Sequence, residues 1–174
     1  DDYMMSADSA ATKITSKTKG IMPTQLNGRC CDMDALRKLT KDHGLMLFED
    51  SAQGLGARFK GQCAGTFGEF GTLSFYPAKL LGCFGDGGAI MTNNSEIART
   101  FGMLRDHGRD ENGDVKMWGT NSRLDNLQAA FLDFRLEKYD EDIIRRRAIA
   151  QRYEDAFRDH AQIFPPQGPS EGDN

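Results

Sequence analysis

The sequence predicts an α/β fold: a mostly parallel, mixed sheet flanked by helices, ending in a long C-terminal helix. Three observations lead there. First, a brief apolar run at Ile21 and Met22, a helix-like stretch beginning near Asp32 and the apolar run "LMLFED" (45–50) follow one another within about 30 residues. Strand, helix, strand at that length is a crossover unit, whose two strands lie parallel. Second, "GAIMTN" (88–93) follows a strand-like segment closely. A connection that short joins antiparallel neighbours, since parallel ones need a dozen residues or more. Third, from Arg123 to about Arg158 apolar residues recur at helical spacing.

Taken in order, residues 1–19 are polar and read as a loop or edge segment. Pro23, Asn27 and Gly28 end the first strand. In "CDMDALRKLTKDHG", Asp32 or Asp34 can cap the free amides of a helix, Leu36 and Leu39 share a face, and Gly44 suits the left-handed C-terminal position. The run 45–50 reads as a fully buried strand. Gly61, Gly65, Gly68 and Gly71 among aromatics suggest a short hairpin or excursion, then a strand over 72–76. Residues 95–107 read as a helix with Ile97, Phe101 and Leu104 on one face and Gly108 as its stop. A polar loop over 109–120 holds the only tryptophan, Trp118, at a substrate entrance or as a surface anchor. The last helical stretch carries Leu124, Leu127, Phe131 and Phe134 as an apolar stripe for core or dimer packing. It bends near "YDED" or breaks into two helices.

Composition bounds the function. With 174 residues, 39% hydrophobic and 28% charged, the chain can build one core. A net charge of -4 gives no footprint for nucleic acid, and the basic run Arg145 to Arg147 sits beside Asp140, Glu141 and Asp142. No apolar run nears the roughly 20 residues that span a bilayer. The four cysteines, Cys30, Cys31, Cys63 and Cys83, lack C-x-x-C spacing, and His43, His107 and His160 are scattered, so no metal site is expected. Reduced thiols in a cytoplasmic protein are the expectation, without nucleic-acid or membrane partners.

Ligands of open α/β sheets collect at the carboxyl ends of strands. Asp50 ends its strand there and is followed by the small residues Ser51, Ala52 and Gly54. Ser74 lies in or near the end of the next apolar segment, and Lys79 lies five residues later in "SFYPAKLLGCFGDGG". Each alone has a plain structural reading: a turn-capping acid, a polar strand residue, a solvated amine. Together they fill the roles that pyridoxal phosphate requires. An amine must bind its aldehyde, a carboxylate must keep its ring nitrogen protonated, and hydroxyl and amide donors must hold its phosphate. The glycines at 82, 85, 87 and 88 let the backbone turn beside the lysine. "GCFGDGG" lacks both the G-K-[ST] ending of a P-loop and the strand-to-helix setting of a dinucleotide fingerprint.

The blocks "EDSAQGLGA" (49–57), "SFYPAKLLGCFGDGGAIMTN" (74–93), "LRDHG" (104–108) and "GTNSRLDNLQAAFL" (119–132) resemble the signature segments of the DegT/StrS family. These are fold-type I, pyridoxal-phosphate-dependent nucleotide-sugar aminotransferases, and the resemblance extends over nearly all of 12–158. It implies that Asp50 pairs with the pyridine nitrogen, Gln53 lies near the ring's 3-hydroxyl, and Ala52 lies against one ring face. It further implies that Ser74 binds the phosphate and that Lys79 is the catalytic Schiff-base lysine. Asn121 would reach the cofactor phosphate of the adjacent subunit, in a homodimer with shared active sites. Asn27 stands where the family often has an aromatic residue.

Family members run to about twice this length, as two-domain chains do. Residues 1–158 are therefore expected to be the C-terminal part of the cofactor-binding large domain, and 159–174 a linker toward a small C-terminal domain. The implied reaction passes an amino group from an amino acid, such as glutamate, to a keto group of a nucleotide-linked sugar for polysaccharide or antibiotic biosynthesis. Related sugar dehydratases lack the lysine, so Lys79 argues against that branch. The alternative is a non-catalytic regulatory module, or an inactive truncated one.

Overall fold

The structure, a computed structural model, describes residues 3–165. At its centre, segment 46–51 is paired on both sides. On one side β1 (Gly20–Ile21) runs parallel to β2 (Met46–Leu47), with Gly20 opposite Met46. The ladder continues beyond both strands: Phe48 N donates to Ile21 O, Asp50 N to Pro23 O and Gln25 N to Asp50 O, at 2.9–3.2 Å. On the other side β3 (Glu49–Asp50) runs parallel to β6 (Gly71–Ser74), which pairs antiparallel with β7 (Gly88–Met91). The parallel crossover and the antiparallel neighbour are both as the sequence predicts.

The run 45–50 departs from its expected full burial. Leu47, Glu49 and Ser51 are buried, while Met46 is exposed and Phe48 and Asp50 are intermediate. That is strand alternation with one face closed. The closed face is covered by α2 (Met33–His43) and by Phe67, which form one core with Ile21, Cys31 and Leu47. Phe48 on the other face stacks on Phe70 at 5.2 Å, and Phe70 meets Phe101 of α3 (Ser95–Leu104) edge-on at 5.1 Å. The α3 contact covers that face only in part, which leaves the Asp50 end of the strand accessible.

Local chemistry explains the helix limits. Of the two candidate acids, Asp32 caps α2: its Oδ1 accepts from Ala35 N at 3.0 Å. Gly44 closes it in the left-handed region at φ 61. Asn94 caps α3 by accepting from Glu96 N and Ile97 N. That helix ends at Leu104, earlier than expected, and Gly108 N returns to Met103 O at 2.8 Å. The expected loop at 1–19 contains a short helix, α1 (Ala7–Ala11), capped by Ser6. Five residues are too few to show a periodic apolar signal.

Of the hairpin or excursion expected, the structure has a hairpin, β4 (Arg58–Phe59) with β5 (Gln62–Cys63), turned by Lys60 and Gly61, both at positive φ. The final helical stretch breaks at Glu137 and Lys138, just before "YDED", into α4 (Asn126–Leu136) and α5 (Tyr139–Phe157). Its apolar stripe divides as well. Leu124 and Phe131 pack on a second core of Leu81, Cys83 and Leu132, whereas Leu127 and Phe134 are exposed. The linker expected at 159–174 lies largely outside the described residues. Among the described residues, no helix is long and apolar enough to cross a membrane.

Candidate active site

Parallel pairing brings the predicted acid and hydroxyl to one rim. Asp50 sits opposite Thr72, and Ser74 follows Thr72 by two residues on β6. Side chains of registered parallel partners share a face, as do residues two apart. Asp50, Thr72 and Ser74 therefore line the face opposite Glu49 and Ser51. Asp50 Oδ1 accepts from Ala52 N at 3.1 Å, which turns the chain back at the strand end, and Oδ2 has no hydrogen-bond partner among the described residues. The Ser74 hydroxyl accepts from Tyr76 N at 3.3 Å and keeps its own proton to donate.

Lys79 follows in the turn after β6, its amide donating to Tyr76 O at 2.8 Å. The side chain is intermediate in exposure and makes no ion pair or hydrogen bond among the described residues. Two contacts shape its segment. Gly82 packs against the Tyr76 and Pro77 carbonyls, where a Cβ would fall 2.7 Å from each oxygen. Gln128 of α4 clamps Phe84 reciprocally, accepting from its N at 2.8 Å and donating to its O at 2.7 Å. In the loop 82–88 only Gly85 uses positive φ; Gly82 is required for close approach.

Gln53 spans the rim to the opposite turn. Its Oε1 accepts from Asn27 N and its carbonyl from Gly28 N, both at 3.0 Å. Asn27 holds φ 54, a left-handed conformation that asparagine tolerates better than an aromatic residue. Ala52 is half-buried beside it. Asn121 is apart from this group. It bridges Asp106, and its Oδ1 accepts from Arg123 Nε at 3.1 Å, on an exposed loop. Trp118 on that loop is 96% exposed. A cavity of about 710 Å³ lies elsewhere, beside α1 and β1, and none of these residues lines it.

Sequence reasoning missed the groups that hold the rim in place. Glu49 is a buried carboxylate whose neighbours are described below; the only hint was an acid inside an apolar run. Tyr139 Oη donates to Leu55 O at 2.8 Å and fixes the start of α5 against the loop after Asp50. Burial, then the Asp140 charge, pushes its phenol above the usual value. Nothing in the sequence signalled the Gln128 clamp.

These groups, uncommitted among the described residues, suit pyridoxal phosphate: a carboxylate oxygen, a hydroxyl with its proton available, and an amine without a counter-ion, at two neighbouring strand ends and the turn that follows. Comparison with known proteins agrees. The profile of the DegT/DnrJ/EryC1/StrS aminotransferase family matches residues 1–174. The dTDP-3-amino-3,4,6-trideoxy-alpha-D-glucose transaminase of Micromonospora megalomicea subsp. nigra is 46% identical over 160 residues, 91% of this chain and 43% of that one. Among solved structures, DesV of S. venezuelae superposes with a TM-score of 0.87 at 40% identity, over 95% of this chain and 45% of its own. An E. coli GDP-4-keto-6-deoxy-D-mannose-3-dehydratase with bound hydrated PLP does so with a TM-score of 0.83 at 27% identity, over 90% and 45%. The chain thus spans less than half the length of these relatives.

Proposed function

The chain belongs to the DegT/DnrJ/EryC1/StrS aminotransferase family, and from that premise we propose that it supplies the lysine, acid and hydroxyl of a pyridoxal-phosphate site in a nucleotide-sugar aminotransferase. The fold is that of fold-type I aminotransferases. Residues 1–158 are read as the C-terminal part of the large domain and 159–174 as a linker. The observation that carries the reading is the shared rim: Asp50 in parallel register with Thr72, Ser74 two residues on, and, in the turn that follows, Lys79, unpaired among the described residues.

Pyridoxal phosphate, when bound, supplies an electron-accepting ring that lets an amino group leave one carbon and join another. Asp50 would hold the ring nitrogen in its protonated form through its uncommitted oxygen. Ser74 would donate its hydroxyl proton to the phosphate. Ala52 leaves room for a flat ring, and Gln53, its Oε1 engaged by Asn27 N, keeps amide protons free for the ring's hydroxyl. Lys79 would anchor the cofactor covalently and, once released, carry a proton to and from the substrate carbon at Nζ. The exposed Asn121 suits a role across a homodimer, at the partner's cofactor phosphate.

The substrates are an amino-acid donor, such as glutamate, and a keto sugar carried on a nucleotide. The nucleotides named in the relatives differ, dTDP in one and GDP in another, and both are nucleoside diphosphates. Incubation with pyridoxal phosphate, 15N-labelled glutamate and a nucleotide-linked keto sugar tests the proposal. Label should enter the sugar nucleotide in the parent chain and not in a Lys79→Ala variant. Label in both, or in neither, overturns it.

A further inference from the structure

Glu49 is 1% exposed, and no cation pairs with it among the described residues. Its carboxylate is instead surrounded by donors. Oε2 accepts from Gln25 Nε2 at 2.8 Å and from Gly65 N at 2.7 Å; Oε1 accepts from Phe67 N at 2.6 Å and from Gly68 N at 3.3 Å. Gln25 is fully buried too, and its Oε1 accepts from Cys31 N at 2.8 Å. One carboxylate therefore ties together the 25–31 turn, the central strand and the 65–68 loop.

Glu49 and Asp50 share a peptide unit and point to opposite faces of the sheet. Rotation of one about the strand axis rotates the other. Gln25 adds a second link, because its backbone N donates to Asp50 O at 2.9 Å while its side chain holds Glu49. The strand end that presents Asp50 is thus fixed from behind by a group that never reaches the rim.

From this geometry we infer that Glu49 is a positioning residue, which sets the direction of the Asp50 carboxylate toward the cofactor. The inference rests on the site reading above. Only a carboxylate fits the role. It accepts at both oxygens and donates nothing, whereas an amide would turn an NH2 toward backbone N–H groups on one side. The strand end should then loosen locally, beyond any general loss of stability.

The test compares Glu49→Gln with Leu36→Ala, a truncation in the same core that removes no hydrogen bond to Glu49, at temperatures equally far below each melting midpoint. Site-resolved amide hydrogen exchange is read first without cofactor, at Ser51 and at Ala52, whose N–H donates to Asp50 Oδ1. Glu49→Gln should speed exchange at both about tenfold or more relative to Leu36→Ala. It should also weaken pyridoxal phosphate binding about 10- to 100-fold, as lost supporting partners do at other sites. Should Glu49→Gln not fold, Gln25→Met removes one donor, leaves three amides on Glu49, and should act in the same direction. Equal exchange at Ser51 and Ala52 in the hub variant and the control overturns the inference. A parent chain that binds no pyridoxal phosphate overturns the site reading instead, and the exchange comparison still decides whether Glu49 orders the strand end.

Discussion

Asp50 lies directly opposite Thr72 in parallel register, so Ser74 stands two residues, about 7 Å, further along the neighbouring strand on the same face. That spacing matches an elongated ligand with a cationic end at Asp50 and an anionic end at Ser74. Asp50→Asn keeps the shape and removes the charge. Hydrogen bonds to charged groups are worth about 1.5–3 kcal/mol, so pyridoxal phosphate should bind about 10- to 100-fold more weakly, with unchanged far-ultraviolet circular dichroism. Equilibrium titration of the visible cofactor absorbance measures this, and an unchanged Kd would remove Asp50 from the site.

Tyr139 provides the pH signature. Burial raises its phenol in the folded protein above the ordinary value of 10.0. A group with a raised folded value contributes stability that is fully present below pH 10 and is lost as pH climbs through the folded value. The ionised oxygen could no longer donate to Leu55 O. Tyr139→Phe should cost about 1 kcal/mol at pH 7. The stability gap between parent and variant should hold from pH 7 to 9 and close above pH 10; a gap that widens there contradicts the assignment.

Gly71 in β6 permits a backbone contact that no side chain could share. A Cβ there would strike the Gly65 backbone, in the loop whose amide donates to Glu49. The obstacle is main chain on both sides, so neither can swing away. Gly71→Ala should cost several kcal/mol, at the upper end of the range for overpacked cores. Chemical denaturation measures it, and a loss below about 1 kcal/mol would mean that the loop is free to shift.

Ser51 makes the opposite prediction. Its side chain is fully buried and its hydroxyl has no hydrogen-bond partner among the described residues. A buried polar group left unmatched costs about 1–3 kcal/mol. Ser51→Ala should therefore be neutral or slightly stabilising by thermal melting. A loss above 1 kcal/mol would show that the hydroxyl has a partner after all.

The legible parts of this fold are those written in short sequence windows. The cap at Asp32, the left-handed Gly44, the crossover from Ile21 to Leu47 and the antiparallel return at Gly88 all depend on neighbours in the chain. So do the small residues that follow Asp50 and the five-residue step from Ser74 to Lys79. What stayed hidden depends on residues distant in sequence. Glu49 finds its amides 16 to 19 residues away, Gln128 meets Phe84 across 44 and Tyr139 meets Leu55 across 84. No periodicity records such pairings. The alternation of 46–51 was masked for a related reason: Met46 and Phe48 are apolar on the open face, so the run looked uniformly buried.

Lys79 is the residue on which the functional account turns, and its chemistry is directly readable. The chain is mixed with pyridoxal phosphate, reduced with borohydride, digested and mapped by mass spectrometry. Reduction should abolish the visible band and leave a single pyridoxyl-lysine, on the peptide containing Lys79. A label spread over surface lysines, or a band that persists in Lys79→Ala, would contradict it.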